Sequence, residues 1–173
     1  MASLKKYLKE KGFVPVQMKR TSTDHFEVEA ILNGQPGRFI VDTGASNTCV
    51  AVEHADRFGL ISEEAEVKAA GAGNAEMEAW ISPENSLVLG KWKKKKQPIV
   101  LFDLSHVNLA LTSRESTAVD GIIGADILRE GKAVIDYRKK GCTSKNKTPG
   151  VRMKLKTRGF FFRNGPPKAP GLF

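Results

Sequence analysis

Apolar positions in this chain recur mostly at every second residue, the period of strands with one buried face. Phe13, Val14, Val16 and Met18 alternate loosely with Pro15 and Gln17. A proline has no N–H to give a ladder, so this predicts an edge strand. The next alternation, His25–Leu32, runs through Phe26, Val28, Ala30 and Leu32 and ends at Asn33-Gly34, the pair a tight hairpin prefers. The chain is therefore expected to turn back into Gly37–Val41. Thr48–Val52 reads as another strand, and Glu53–Phe58 as a short helix closed by Gly59. Val67 and Ala69 lead into Gly71-Ala72-Gly73-Asn74 and on to Met77, Ala79 and Ile81, a hairpin with a small-residue tip. A further hairpin is expected from Ser86–Leu89, Gly90 and Trp92–Phe102, then a helical turn at Val107–Leu111 and a last strand at Ala133–Tyr137. Helical spacing appears at the start, where Leu4, Tyr7 and Leu8 follow Ser3 and precede Gly12; a short docking helix is the reading.

Two stretches stand out from this pattern. Phe39-Ile40-Val41-Asp42-Thr43-Gly44-Ala45-Ser46 is an apolar strand that runs into a carboxylate and a sharp turn. Taken alone, Asp-Thr-Gly favours a polar turn, since aspartate bonds the backbone two residues on. The second stretch, Val119-Asp120-Gly121-Ile122-Ile123-Gly124-Ala125-Asp126-Ile127-Leu128, is an apolar strand between glycines followed by a short helix that stops at Gly131. Glycines so placed let another backbone pass close. Gly71-x-Gly73 is not a phosphate loop, because no Lys-Ser/Thr follows and no helix begins. Small residues there suit a cover that approaches a ligand closely.

Composition narrows the class. With 173 residues, 40% hydrophobic and 27% charged, the chain has room for one domain with a core but not for two full lobes. No apolar run approaches the ~20 residues that cross a bilayer, and the basic N-terminus lacks a following apolar segment. A cytoplasmic location is the default expectation, with no membrane partner. Cys49 and Cys142 lie far apart, and His25, His54 and His106 are scattered, so neither a disulfide framework nor a metal or other cofactor is expected. The net charge of +9 is local: from Arg138 onward there are eleven Lys or Arg and no acid, which leaves residues 1–137 slightly acidic. Lys93–Lys96 is read as a solvated edge guarded by lysines. The expected organisation is a helix at 1–12, a domain at 13–139 and a basic, poorly ordered tail at 140–173. In that tail Phe160-Phe161-Phe162 is either a docking element or an aggregation liability.

The order of Ile40-Val41-Asp42-Thr43-Gly44-Ala45, the tip Gly71-Ala72-Gly73 and Ile122-Ile123-Gly124-Ala125-Asp126 resembles the retropepsin-like, or retroviral-type, aspartic proteases. The likeness covers roughly residues 13–137 and is nearer to single-domain bacterial or cellular members than to viral enzymes. It implies a mainly β fold: a closed acid-protease barrel with one or two short helices and one lobe per chain. The activity implied is aspartic endopeptidase, a hydrolase of peptide bonds in a peptide or protein substrate. Only one Asp-Thr-Gly is present, so the resemblance implies a homodimer with Asp42 as the catalytic residue of each copy. Thr43, Gly44, Ala45 and Ser46 would support the catalytic turn, and Ala70, Gly71, Ala72, Gly73 and Asn74 would form the flap. Ile122, Ile123, Gly124 and Asp126 would buttress the turn. Two features depart from the viral pattern: Ala125 stands where viral enzymes usually have Arg, and the tail after Tyr137 has no counterpart.

Two other readings compete. A dimeric module could keep this fold and bind a partner or extended peptide without cleaving it; the intact Asp42, Thr43 and Gly44 argue against that. Nucleic acid binding through Lys91–Lys96 and the basic tail is the minor alternative.

Overall fold

The structure, a computed structural model, describes residues 4–62, 78–137 and 158–164. Its elements in chain order are α1 (Leu4–Glu10), β1 (Phe13–Arg20), β2 (Phe26–Leu32), β3 (Gln35–Val41), β4 (Cys49–Ala51), β5 (Trp80–Leu89), β6 (Trp92–Phe102), α2 (Ser105–Thr112), β7 (Gly121–Ile123), α3 (Ala125–Glu130), β8 (Val134–Ile135) and β9 (Arg158–Arg163), with a single 3-10 turn at Val52–His54. The fold is mainly β. Strands β3, β7, β4, β6, β5 and β2 follow one another, and β2 pairs back onto β3, so the sheet closes into a barrel. Closure leaves these strands no free edge. Beyond β2 the sheet continues through β1 and β9 to β8.

The local chemistry explains the path. Asn33 and Gly34 have φ of +49° and +85°, the left-handed pair that a two-residue hairpin requires, and β2 pairs with β3 from Leu32↔Gln35 to Phe26↔Val41. β3 then runs parallel to β7, with Phe39 opposite Gly121 and Val41 opposite Ile123. Parallel strands are covered on both faces and so read as unbroken apolar runs. Phe39, Val50 and Ile123 point into the main core with Leu101 and Ile127. Their neighbours Ile40, Cys49, Ala51 and Ile122 lie on the opposite face, under Leu104, Val107, Leu111 and Val119. The segment containing α2 thus roofs the outer side of the sheet that ends at Asp42.

Three expectations need correction. β1 is not an edge strand, because β9 pairs along it from Phe13 to Met18 and β2 pairs at Lys19 and Arg20. Pro15 is tolerated since its half of the strand is paired only with β9. Nor is the lysine strand a free edge: β6 lies between β4 and β5 in the barrel. Its β4 partners span only Val100–Phe102, so Lys93 to Lys96 sit on a stretch paired with β5 alone, and Lys94 and Lys96 meet Glu130 and Glu84 at 2.8 and 3.0 Å. Finally, residues 158–164 do not belong to a poorly ordered tail. They supply β9, and Phe160, Phe161 and Phe162 are all buried. The docking alternative for the three phenylalanines is the one observed.

Candidate active site

Asp42 follows the last residue of β3, where two neighbouring strands have fixed the backbone. Its N–H donates to the carbonyl of Ile123 at 3.0 Å, extending the β3–β7 pairing by one step. The chain then turns, and the Gly44 N–H donates to Asp42 Oδ1 at 2.8 Å. A Cβ on Gly44 would stand 3.2 Å from that same oxygen, so glycine leaves the carboxylate its room. Asp42, Thr43, Gly44 and Ser46 are exposed, and Ala45 is half-buried. Thr43 opens onto a depression of about 510 Å³ lined with Ala125, Leu128, Arg129, Lys132, Ala133 and Ile135.

The first turn of α3 holds the loop from below. A helix leaves its first N–H groups without internal partners; here Ala125 N–H donates to the Ala45 carbonyl at 2.7 Å and Asp126 N–H to the Ser46 carbonyl at 3.2 Å. The Asp126 carboxylate turns inward. Oδ1 accepts the Thr48 hydroxyl and the Ile127 N–H, each at 2.7 Å, and Oδ2 accepts the Gln97 side-chain amide at 3.0 Å. Thr48 Oγ1 in turn accepts the Gly124 N–H at 3.0 Å. Gly124 is required sterically, since a Cβ there would come 2.5 Å from the Asn47 carbonyl.

Ile122, Ile123, Gly124 and Asp126 are therefore brought against the 42–48 turn. Thr48 and Gln97, which pattern reasoning passed over, complete the anchor. Their one signal is a polar residue directly beside a buried apolar run, Thr48 before Cys49–Ala51 and Gln97 before Ile99–Leu101. Ala70, Gly71, Ala72, Gly73 and Asn74 lie outside the described residues.

Two other buried groups bear on the site's electrostatics. Burial pushes the Cys49 thiol up to about 12; its backbone bond with Ile122 pulls the other way, and the charges of Asp126 and Asp42 add to the rise. The buried thiol beneath the turn is thus favoured in its protonated form. Asp120, at the far end of β7, is held by the Arg38 N–H at 2.7 Å and by Arg57 Nη1 at 2.6 Å. His54 Nδ1 lies 3.1 Å from the same carboxylate, too poorly aligned for a hydrogen bond. Asp120 and Asp126 are thus both committed to internal partners, whereas Asp42 faces solvent. Among the described residues, no group of three or more His, Cys, Asp or Glu is placed to hold a metal.

An apolar strand that delivers an exposed, backbone-held aspartate into a Thr-Gly turn, braced by a glycine-flanked strand and helix, can present one carboxylate for acid–base work. A family model described as aspartyl protease matches residues 28–127, which include the turn, the barrel strands β3 to β7 and the start of α3. The chain belongs to this aspartyl protease family. Its one-lobed closed barrel is of the retropepsin-like type.

No curated protein matches the aspartyl protease chain in sequence. Among solved structures, a retropepsin-like aspartic protease from Rickettsia conorii is 18% identical, with a TM-score of 0.48 over 87% of this chain and 91% of that one. The protease of EIAV, in complex with an inhibitor, is 16% identical with a TM-score of 0.46, covering 60% and 85% of the two chains. The retroviral protease-like domain of Ddi1 from Leishmania major is 19% identical with a TM-score of 0.45, covering 64% and 81%. No helix among the described residues is long and apolar enough to cross a membrane.

Proposed function

We propose that this family member is an aspartic endopeptidase whose active site forms between the Asp42 residues of two identical copies. One observation carries the reading: Asp42 is exposed, fixed through Ile123 and Gly44, and is the carboxylate on that face left free of internal side-chain partners among the described residues. A single copy supplies half of an acid–base pair.

The chemistry follows from pairing. Two carboxylates a few ångströms apart cannot both ionise cheaply, so the pair shares one proton and titrates as a unit, behaviour known from aspartic proteases generally. The ionised Asp42 takes a proton from a bound water, whose oxygen attacks the peptide carbonyl carbon. The protonated Asp42 donates to the carbonyl oxygen. Collapse of the tetrahedral species breaks the C–N bond as a proton moves to the departing nitrogen. Thr43 orients the turn, Gly44 holds Oδ1, and Ala45 and Ser46 shape the floor. Residues 70–74 act as the cover that excludes water over an extended peptide. This activity suits a homodimer acting in the cytoplasm on peptide or protein substrates.

Cleavage of a peptide library, followed against pH and protein concentration, tests the reading. Asp42→Asn should lower turnover at least about a hundredfold while the barrel stays folded. Equal turnover in the two proteins sinks the protease assignment. Activity that persists in an isolated monomer sinks the shared site.

A further inference from the structure

One row of side chains crosses four strands of the barrel on its outer face. Directly opposed residues of an antiparallel pair share a face, and the pairs Pro36↔Ile31, Ile31↔Val88 and Val88↔Lys93 carry the row from β3 through β2 and β5 to β6. Their chain neighbours Leu32, Leu87, Leu89 and Trp92 fill the core on the other face. Three of the four members of the row are apolar. Ile31 is 44% exposed, Pro36 and Lys93 are exposed, and Val88 is half-buried. The water-facing side of an antiparallel sheet is ordinarily polar, so this apolar stripe departs from the pattern.

The lysines beside the stripe fall into two sets. Lys94 and Lys96 are paired with Glu130 and Glu84. Among the described residues, no carboxylate pairs with Lys91, Lys93 or Lys95, and all three are exposed. Glu29, two residues along β2 from Ile31, stands opposite Arg38 rather than beside these lysines. A bulge separates the sets: between the pairs Leu87↔Lys94 and Asn85↔Gln97, β5 has one residue, Ser86, and β6 has two, Lys95 and Lys96. Lys96 takes up the extra residue at φ +55°, a left-handed backbone that a lysine adopts at a cost. Lysines that merely guard a strand edge need charge and no such backbone, and guarding does not account for the apolar stripe.

We propose that this stripe is a docking surface for an acidic protein segment with aliphatic side chains among its carboxylates. The aliphatic groups cover Ile31, Val88 and Pro36, and the carboxylates meet Lys91, Lys93 and Lys95. Charge complementarity selects this occupant. A second copy of the chain would set lysines against lysines. Nucleic acid would meet the lysines but leave the stripe uncovered, because bases stack on aromatic rings and the exposed aromatic residues among those described, Tyr7 and Tyr137, lie outside it. The stripe spans about 14 Å across the strands, which suits a short segment and a weak, transient contact. Pro36 precedes Asp42 by about 20 Å along β3, so a segment held here leaves the Asp42 carboxylate open.

Fluorescence anisotropy tests the surface on full-length protein carrying Asp42→Asn, so that no probe is cut. The probe is a labelled peptide of glutamates interrupted by leucines. A companion peptide has serine for leucine, and a labelled oligothymidylate stands for nucleic acid. The glutamate–leucine peptide should bind, and Lys93→Glu with Lys95→Glu should weaken it about tenfold. Ile31→Ser should weaken it severalfold, with Ile31→Thr as the strand-compatible substitute should serine unfold the chain. The same charge reversal on α1, Lys5→Glu with Lys9→Glu, should change little. Absence of binding, an equal loss from the α1 reversal, or equal binding of the serine peptide overturns the docking surface. Oligothymidylate that binds more tightly and ignores the change at Ile31 also overturns it, in favour of a nucleic acid site. None of these outcomes depends on whether Asp42 cleaves peptides.

Discussion

The Thr48 hydroxyl donates to Asp126 Oδ1 at 2.7 Å and accepts the Gly124 N–H at 3.0 Å, so one side chain ties the strand after the Asp42 turn to the helix beneath it. Thr48→Val keeps the shape and removes both bonds. It leaves a buried N–H unpaired and strips one donor from the Asp126 carboxylate, at a cost of about 2 kcal/mol. Thr48→Ser should recover most of that. Urea unfolding of the three proteins checks it, and equal stability of Val and Thr would show that solvent replaces the hydroxyl.

Gly121 at the start of β7 and Gly124 just after its end should resist substitution more than the two isoleucines between them. A Cβ at Gly121 would run into the Cys49 carbonyl, and one at Gly124 would stand 2.5 Å from that of Asn47. Both obstacles are backbone, which cannot swing aside as a flexible side chain can. Either glycine changed to alanine should cost about 3 kcal/mol and move the Asp42 turn. Soluble expression and thermal melting give the answer.

These glycines also show why much of the site was legible in the sequence. An apolar run ending in Asp-Thr-Gly needs a parallel partner that can pass close, and Gly121-Ile122-Ile123-Gly124 announces such a partner. The hairpin at Asn33-Gly34 was equally plain because its φ values suit few other residues. Thr48 and Gln97 were hidden for the opposite reason: a polar residue in a strand gives no sign that its partner is a carboxylate far away in sequence. β9 was hidden because both its faces are covered. Phe160-Phe161-Phe162 shows no alternation, and its register partners in β1 come from the other end of the chain.

Asp120 and Arg57 should respond unequally to truncation. The Asp120 carboxylate satisfies the Arg38 N–H as well as the guanidinium, and it is nearly buried. Asp120→Ala therefore strands a backbone donor and a cation, at about 3 kcal/mol. Arg57 is 48% exposed, so its loss removes a solvent-screened charge and should cost only about 1 kcal/mol. Denaturant midpoints of the two single variants decide the matter; equal losses would mean that the ion pair, not the backbone bond, dominates.

Cys49 should make the fold sensitive to alkali. Burial raises its thiol from 9.0 to about 12, so between those values the folded chain keeps a proton that the unfolded chain releases. A group raised on folding contributes its full stability below its unfolded value and loses it as pH climbs toward the folded one, here from pH 9 upward. The slope approaches about 1.4 kcal/mol per pH unit. Lysines and tyrosines titrate in the same range, so the comparison must be internal: Cys142→Ser against the same chain also carrying Cys49→Ala. The alanine variant starts lower because of the cavity it leaves, but the gap should narrow by about 1.5 kcal/mol between pH 9 and 10.5. Iodoacetamide at pH 8 should label Cys49 only after unfolding. A gap that stays constant with pH, or labelling of the native chain, would mean that water reaches the thiol beneath the Asp42 turn.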